Sequence, residues 1–267
     1  MIRLMIYFCV LAIGHFPRFR RIAHANLRIA FGPRGPRIYF RSLIRLADNV
    51  CAILKTCRRN PARRPRFRYD ISVVKAAQVV PPYICVSGHL GPFDLGAKLE
   101  KPLQTRMAVV VRPPGGWLVR RVVALIRRRL GTDTIEKRNA FKGCVEALKE
   151  GKSVAILADQ NAGYQGEFYP FLGFPASTTR LPVVLAMRFQ LPMVFGFLRK
   201  DGDGYLAWIE KVLVPNARAD RDDEERRLMN EMNAVFGDVI RRHPEEWFWP
   251  HRRWKTRPGD REASILR

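Results

Sequence analysis

The sequence has little cysteine and spaces it irregularly. Five cysteines lie among 267 residues, an odd number, and no two are spaced Cys-x-x-Cys. This argues against a paired disulfide framework and a cysteine zinc site, and for a reducing compartment. Acidic residues are also scarce: 24 Asp and Glu stand against 48 Lys and Arg, a net charge of +24. Such an excess calls for anionic partners, whether nucleic acid, acidic protein or anionic lipid. The N-terminal apolar run Leu4–Ile13 stops well short of the roughly 20 residues that span a bilayer. No Gly-x-Ser-x-Gly elbow occurs, which removes the serine-hydrolase signature. What is present is an apolar fraction of 47%, enough for a sizeable core and incompatible with a disordered basic tail.

The charge is uneven. Residues 1–68 carry sixteen Lys and Arg against Asp48 alone, a net of +15, leaving +9 for residues 69–267. Arginine outnumbers lysine 37 to 11. Its planar fork grips phosphate through two bonds where lysine offers a point charge. A GC-rich genome accounts for the same bias equally well. Arg18, Arg20 and Arg21 follow the apolar run, where positive charge opposes export of a signal peptide. An apolar plug beside arginines fits a monotopic membrane anchor; a first core helix is the other reading. The chain divides into a helical, basic, membrane-associating region over 1–68 and an α/β domain over 69–267. The arginine- and proline-rich stretch 58–68 connects them.

Periodicity supports this division. Residues 22–57 read as two helices broken at Gly32–Pro36. Apolar strands follow at 83–87, 107–111, 153–158, 193–198 and 205–213. Helices are predicted over 117–130, 140–150, near 180–190 and over 222–242. Short apolar strands alternating with helices indicate an α/β layered domain.

The strand at 83–87 runs into Gly88-His89-Leu90-Gly91-Pro92-Phe93-Asp94. Ligands gather beyond the carboxyl ends of strands in such sheets. Five residues on a regular helix would set His89 and Asp94 on different faces, but Gly88, Gly91 and Pro92 break a helix there. With Asp94 in the first turn after Pro92, the chain folds back and the carboxylate can reach the imidazole. A His–Asp pair of this kind is a general-base device; a histidine that caps a strand end is the alternative. No third ligand stands near enough to suggest a metal.

The segment Ser87–Asp94 resembles the His-x-x-x-x-Asp/Glu motif of glycerolipid-type acyltransferases. Its surroundings resemble the late acyltransferases of bacterial lipid A biosynthesis and their phosphatidylinositol mannoside relatives. Asn26-Leu27 to Phe31, Val111-Arg112-Pro113, Leu130-Gly131, Asp159-Gln160 and Tyr169–Ala176 are similar to family segments, as is Pro244 through Lys255. The resemblance covers about residues 18–258. It implies a mixed central sheet flanked by helices, and acyl transfer from a thioester on acyl carrier protein or coenzyme A to a hydroxyl of a membrane glycolipid. It implies His89 as general base with Asp94 orienting it, and no cofactor. It also places the protein on the cytoplasmic face of the inner membrane. Arg112, Arg127 and Arg138 fall near positions that would meet an anionic substrate, and Asp159 and Gln160 would position the acceptor or cap a turn. The sequence departs from the family's Gly-Asn-Trp-Glu, reading Gly91-Pro92-Phe93-Asp94 instead, and its anchor is shorter. The Glu-Gly-Thr-Arg motif of lysophosphatidate acyltransferases is absent.

Trp247, Trp249 and Trp254 beside Arg252 and Arg253 could stack on bases, but their company of Pro244 and Pro250 favours a core or interface role. A non-catalytic phosphate- or nucleic-acid-binding protein is the alternative function. It leaves His89, Asp94 and the flanking segments unexplained, so no nucleic-acid partner is expected.

Overall fold

Alternation along short strands decides the architecture. The computed structural model describes residues 2–57, 64–112 and 115–259. Its strands are β1 Phe67–Asp70, β2 Ile84–Ser87, β3 Met107–Val111, β4 Asp133–Glu136, β5 Ser153–Leu157, β6 Glu167–Phe171, β7 Phe174–Thr178, β8 Met193–Asp201 and β9 Gly204–Leu213. Its helices are α1 Ile2–His15, α2 Pro17–Phe31, α3 Tyr39–Thr56, α4 Ser72–Ala77, α5 Trp117–Leu130, α6 Ala140–Lys149, α7 Leu181–Phe189 and α8 Arg221–Arg242. Seven strands make one sheet in the order β1-β9-β8-β2-β5-β3-β4. β8 and β9 run antiparallel and every other neighbouring pair is parallel. The fold is therefore α/β with a mixed central sheet flanked by helices.

The central strands are apolar on both faces because helices cover both. Ile84, Val86, Met193, Phe195 and Phe197 face the main core, with α7 and α8. Cys85, Val194 and Leu198 face the opposite layer, with Leu95, Leu99 and Ala52. Along α8, Leu228, Met232, Val235, Phe236, Val239 and Ile240 form the buried stripe that helical spacing predicts. The Asp220 side chain caps this helix by accepting the N–H groups of Asp222 at 2.9 Å and Asp223 at 3.1 Å.

The N-terminal helices divide their loyalties. α2 and α3 give Ala23, Leu27, Tyr39 and Leu43 to the main core. α1 lies close on α3: a Cβ at Gly14 would stand 2.4 Å from Leu43 Cδ2. The Tyr39 hydroxyl donates to the Gly14 carbonyl at 2.6 Å. The outer side of α1 leaves Ile2, Leu4, Met5, Phe8 and Ile13 exposed. Among the described residues no single helix is long and apolar enough to cross a membrane; Ile2–His15 with Pro17–Thr56 qualifies only as a pair bent by 75°.

β1, α4, β4 and the β6–β7 hairpin have no clear signature in the sequence. β1 and β4 have four residues each and mostly exposed or half-buried side chains, so they carry no apolar run. Of the predicted connector, residues 58–63 lie outside the described residues, as does Pro113.

Candidate active site

The sheet register brings two polar residues together. β2 and β5 are parallel neighbours, with Ser87 opposite Leu157. Two residues further on, at the carboxyl end of each strand, stand His89 and Asp159. His89 Nδ1 lies 2.8 Å from Asp159 Oδ1. The His89 backbone N–H donates to Asp159 Oδ2 at 2.8 Å, and the Trp247 indole N–H donates to the same oxygen at 2.7 Å. Gly88 makes room, since a Cβ there would stand 3.1 Å from Asp159 Cγ and 3.2 Å from a Phe236 ring carbon.

Asp159 is 1% exposed. Burial disfavours its charge, yet the His89 ring and the N–H groups of His89 and Trp247 outweigh this and hold the carboxyl below the usual carboxylate range. A charged Asp159 can only accept, so the neutral imidazole carries its proton on Nδ1 and leaves Nε2 unprotonated.

The anticipated His89–Asp94 hydrogen bond is not made among the described residues. Asp94 sits in the first turn of a short 3₁₀ segment, Phe93–Leu99. Burial raises its carboxyl above the ordinary range, against the lowering effect of Arg127 and His89. The two residues share a neighbourhood, but the ring nitrogen is already committed to Asp159. Fold-back of the loop brought Asp94 near without aiming it at the imidazole. Phe93 fills part of the space, its ring 4.7 Å from that of His89.

His89, Asp94, Arg112 and Arg127 line one open cleft of about 320 Å³, together with Phe93 and apolar residues of α3 and α5. Phe93, Asp94 and Arg127 also line an apolar cavity of about 80 Å³ that runs between the sheet and the 93–99 segment. Its walls include Leu99, Leu103, Met107, Val194 and Ile209. Gly96 belongs to this wall, and a Cβ added there meets no heavy atom within 4 Å. Arg138 lies exposed on the turn after β4, and Gln160 is half-buried; neither lines the cleft or the cavity. Of the seven predicted site residues, the structure thus gathers His89, Asp94, Arg112, Arg127 and Asp159. Sequence reasoning missed Trp247 as a donor to Asp159.

The C-terminal segment holds this turn. The Gly91 N–H donates to the Glu246 carbonyl at 2.9 Å, and the Phe248 N–H donates to the His89 carbonyl at 3.0 Å. Gly91 has a φ of +61°, and a Cβ there would lie 1.9 Å from the Leu198 carbonyl oxygen, so only glycine fits. Asn26 of α2 donates to the carbonyls of Trp249 at 2.8 Å and His251 at 2.6 Å. Burial pushes the His251 imidazole down to about 4, and its Nε2 accepts the Asn161 N–H at 3.1 Å. The tryptophans are core elements here: Trp247 and Trp249 are buried. Among the described residues no group of three or more His, Cys, Asp or Glu could hold a metal ion.

The sequence profile of the bacterial lipid A biosynthesis acyltransferase family matches residues 70–256. The lipid A biosynthesis palmitoleoyltransferase of Escherichia coli K12 is 31% identical over 206 residues, covering 74% of this chain and 65% of that protein. The lipid A biosynthesis lauroyltransferase of the same organism is 26% identical over 179 residues, covering 66% and 56%. This chain therefore spans less than two thirds of the length of either relative. Among solved structures, the 1-acyl-sn-glycerophosphate acyltransferase of Thermotoga maritima aligns over 90% of this chain and 98% of that one, with 14% identity and a TM-score of 0.40. With the profile matched over most of its length, from β1 to the C-terminal segment that braces His89, the chain belongs to the bacterial lipid A biosynthesis acyltransferase family.

Proposed function

We propose that this protein transfers a fatty acyl chain from an acyl thioester to a hydroxyl of a lipid A-type glycolipid. The observation that carries the reading is His89, held through Nδ1 by Asp159, at a cleft that shares Phe93, Asp94 and Arg127 with an apolar cavity. The cavity suits the acyl chain of the donor, and Arg112 and Arg127 suit the phosphates of the acceptor or the developing oxyanion.

The steps follow from the tautomer. His89 Nε2 takes the proton of the acceptor hydroxyl as its oxygen attacks the thioester carbonyl. Asp159 stabilises the resulting imidazolium without itself taking a proton. The tetrahedral intermediate collapses, the carbon–sulfur bond breaks, and the thiolate leaves with the proton from Nε2. An ester and a free thiol result, and no covalent acyl-enzyme is needed. Asp94 lines the junction of cavity and cleft and positions substrate rather than the imidazole. The donor thioester is carried on acyl carrier protein or coenzyme A, and an acidic carrier suits the +24 chain. The exposed apolar residues of α1 and the arginines of α2 support attachment to the cytoplasmic face of the inner membrane through residues 1–68.

The test is a transfer assay with the purified protein, acyl carrier protein loaded with a fatty acid, and a tetra-acylated diphosphorylated glucosamine disaccharide in mixed micelles. Mass spectrometry should show the acceptor gaining one acyl group, and His89→Ala should abolish the gain while circular dichroism stays unchanged. A fully active His89→Ala protein would overturn the reading.

A further inference from the structure

Helix α5 breaks the ordinary pattern of a surface helix. Such a helix buries its apolar stripe and turns charge outward. None of the described side chains of α5 is buried. Trp117, Val119, Val122 and Leu125 are 72%, 52%, 49% and 41% exposed. The inward stripe is Val123, Ile126, Arg127 and Leu130, which are half-buried, while the other apolar residues named stay largely exposed. Between them stand Arg120, Arg121, Arg128 and Arg129, and α5 contains no acid. The Arg121 guanidinium lies 5.8 Å from the centre of the Trp117 ring, so the ring's neighbour is itself a cation.

The same helix walls a groove against α3. Leu54, Val122, Leu125 and Ile126 form its apolar part, with Arg128 and Arg129 beside them, around a volume of about 710 Å³. Leu54 and Ile126 also line the cleft that holds His89. An apolar surface interleaved with arginine, continuous with the cleft, matches a layer whose interior is hydrocarbon and whose surface is phosphate. An acidic protein partner would satisfy the arginines but would leave the exposed Trp117, Val122 and Leu125 face unexplained.

We propose that the outer face of α5 and its groove against α3 form a docking surface for the anionic lipid bilayer, seating the mouth of the His89 cleft on the lipid. This contact is separate from the one attributed to α1 and does not depend on the chemistry at His89. α5 lies in the interface plane, with Trp117 at headgroup depth.

Trp117 provides its own probe. Of the five tryptophans, Trp208, Trp247 and Trp249 are buried and Trp254 is half-buried. The full chain is mixed with vesicles of phosphatidylglycerol and phosphatidylcholine whose acyl chains are brominated, and with vesicles of phosphatidylcholine alone. The anionic vesicles should bind at least about tenfold more tightly and quench tryptophan emission. Trp117→Phe should remove most of that quenching while the protein still binds. Val122→Asp with Leu125→Asp should also remove it with the circular dichroism unchanged. The proposal is overturned if vesicle-bound wild type is quenched no more than Trp117→Phe, which would leave attachment to α1 alone. It is equally overturned if Trp117 emission responds to an acidic carrier protein at low salt but not to brominated lipid.

Discussion

Replacing Asp159 by Asn separates the two carboxylates that compete for the role of His89's partner. The side chain keeps its shape, but one acceptor oxygen becomes an NH₂ group. Asp159 Oδ2 receives two donors, the His89 N–H and the Trp247 indole N–H, whereas among the described residues Oδ1 meets the ring nitrogen alone. Turning the amide NH₂ toward the two donors would leave both unsatisfied in a buried site, at about 1–3 kcal/mol each. The amide oxygen therefore takes the Oδ2 position, and the NH₂ group faces Nδ1. The imidazole must then accept at Nδ1 and carry its proton on Nε2, the wrong tautomer for a base. The equivalent change in serine proteases lowers turnover by roughly 10⁴-fold, and a loss of about 10³–10⁴-fold is expected here. Asp94→Asn, with no hydrogen bond to the ring, should lose no more than about tenfold. The assay is initial-rate acyl transfer at saturating donor, with circular dichroism as the control for folding. A nearly active Asp159→Asn beside a dead Asp94→Asn would refute the reasoning.

Three further outcomes follow from the geometry. Gly96 lines the apolar cavity, and an added Cβ meets no heavy atom within 4 Å; Gly96→Leu should shift the preferred donor to chains shorter by about two to four carbons, read by competition between acyl donors, and an unchanged preference would separate this cavity from the acyl chain. Gly91→Ala should destabilise by more than the roughly 1–2 kcal/mol of a left-handed backbone, because its Cβ also meets the Leu198 carbonyl; an unchanged melting temperature would contradict this. His251 titrates at about 4 in the fold against an ordinary 6.5, so the unfolded chain binds more protons between those values. Its contribution is complete above about pH 6.5 and is lost as pH falls toward 4, on the order of 3 kcal/mol. His251→Gln should flatten the fall of denaturation midpoint over that window, and equal slopes would rule this out.

The helices and central strands were legible because their apolar period is strong. Val154, Ile156 and Ala158 of the run 153–158 and the stripe from Leu228 to Ile240 are core in the structure. β4, with an acid at each end, and the β6–β7 hairpin, paired only with itself, carry no such period. The site was half legible. His89 could be found from its place at a strand end. Its partner could not, because Asp159 lies seventy residues away and meets His89 only through the adjacency of β2 and β5. Strand order is a property of the sheet, and the sequence-near carboxylate of Asp94 was the natural but mistaken choice of partner. Likewise the Trp247–Trp249 segment showed itself as aromatic, but not that it braces the His89 turn.

The central claim is that Asp159 fixes His89 with Nε2 free to accept a proton. Nitrogen-15 NMR of protein labelled at histidine, with the His89 signals identified by their loss in His89→Ala, reads this directly. At a pH where the ring is neutral, His89 should carry its proton on Nδ1 in the wild-type protein and on Nε2 in Asp159→Asn. A wild-type ring protonated on Nε2, or a tautomer unchanged by Asp159→Asn, would contradict the account.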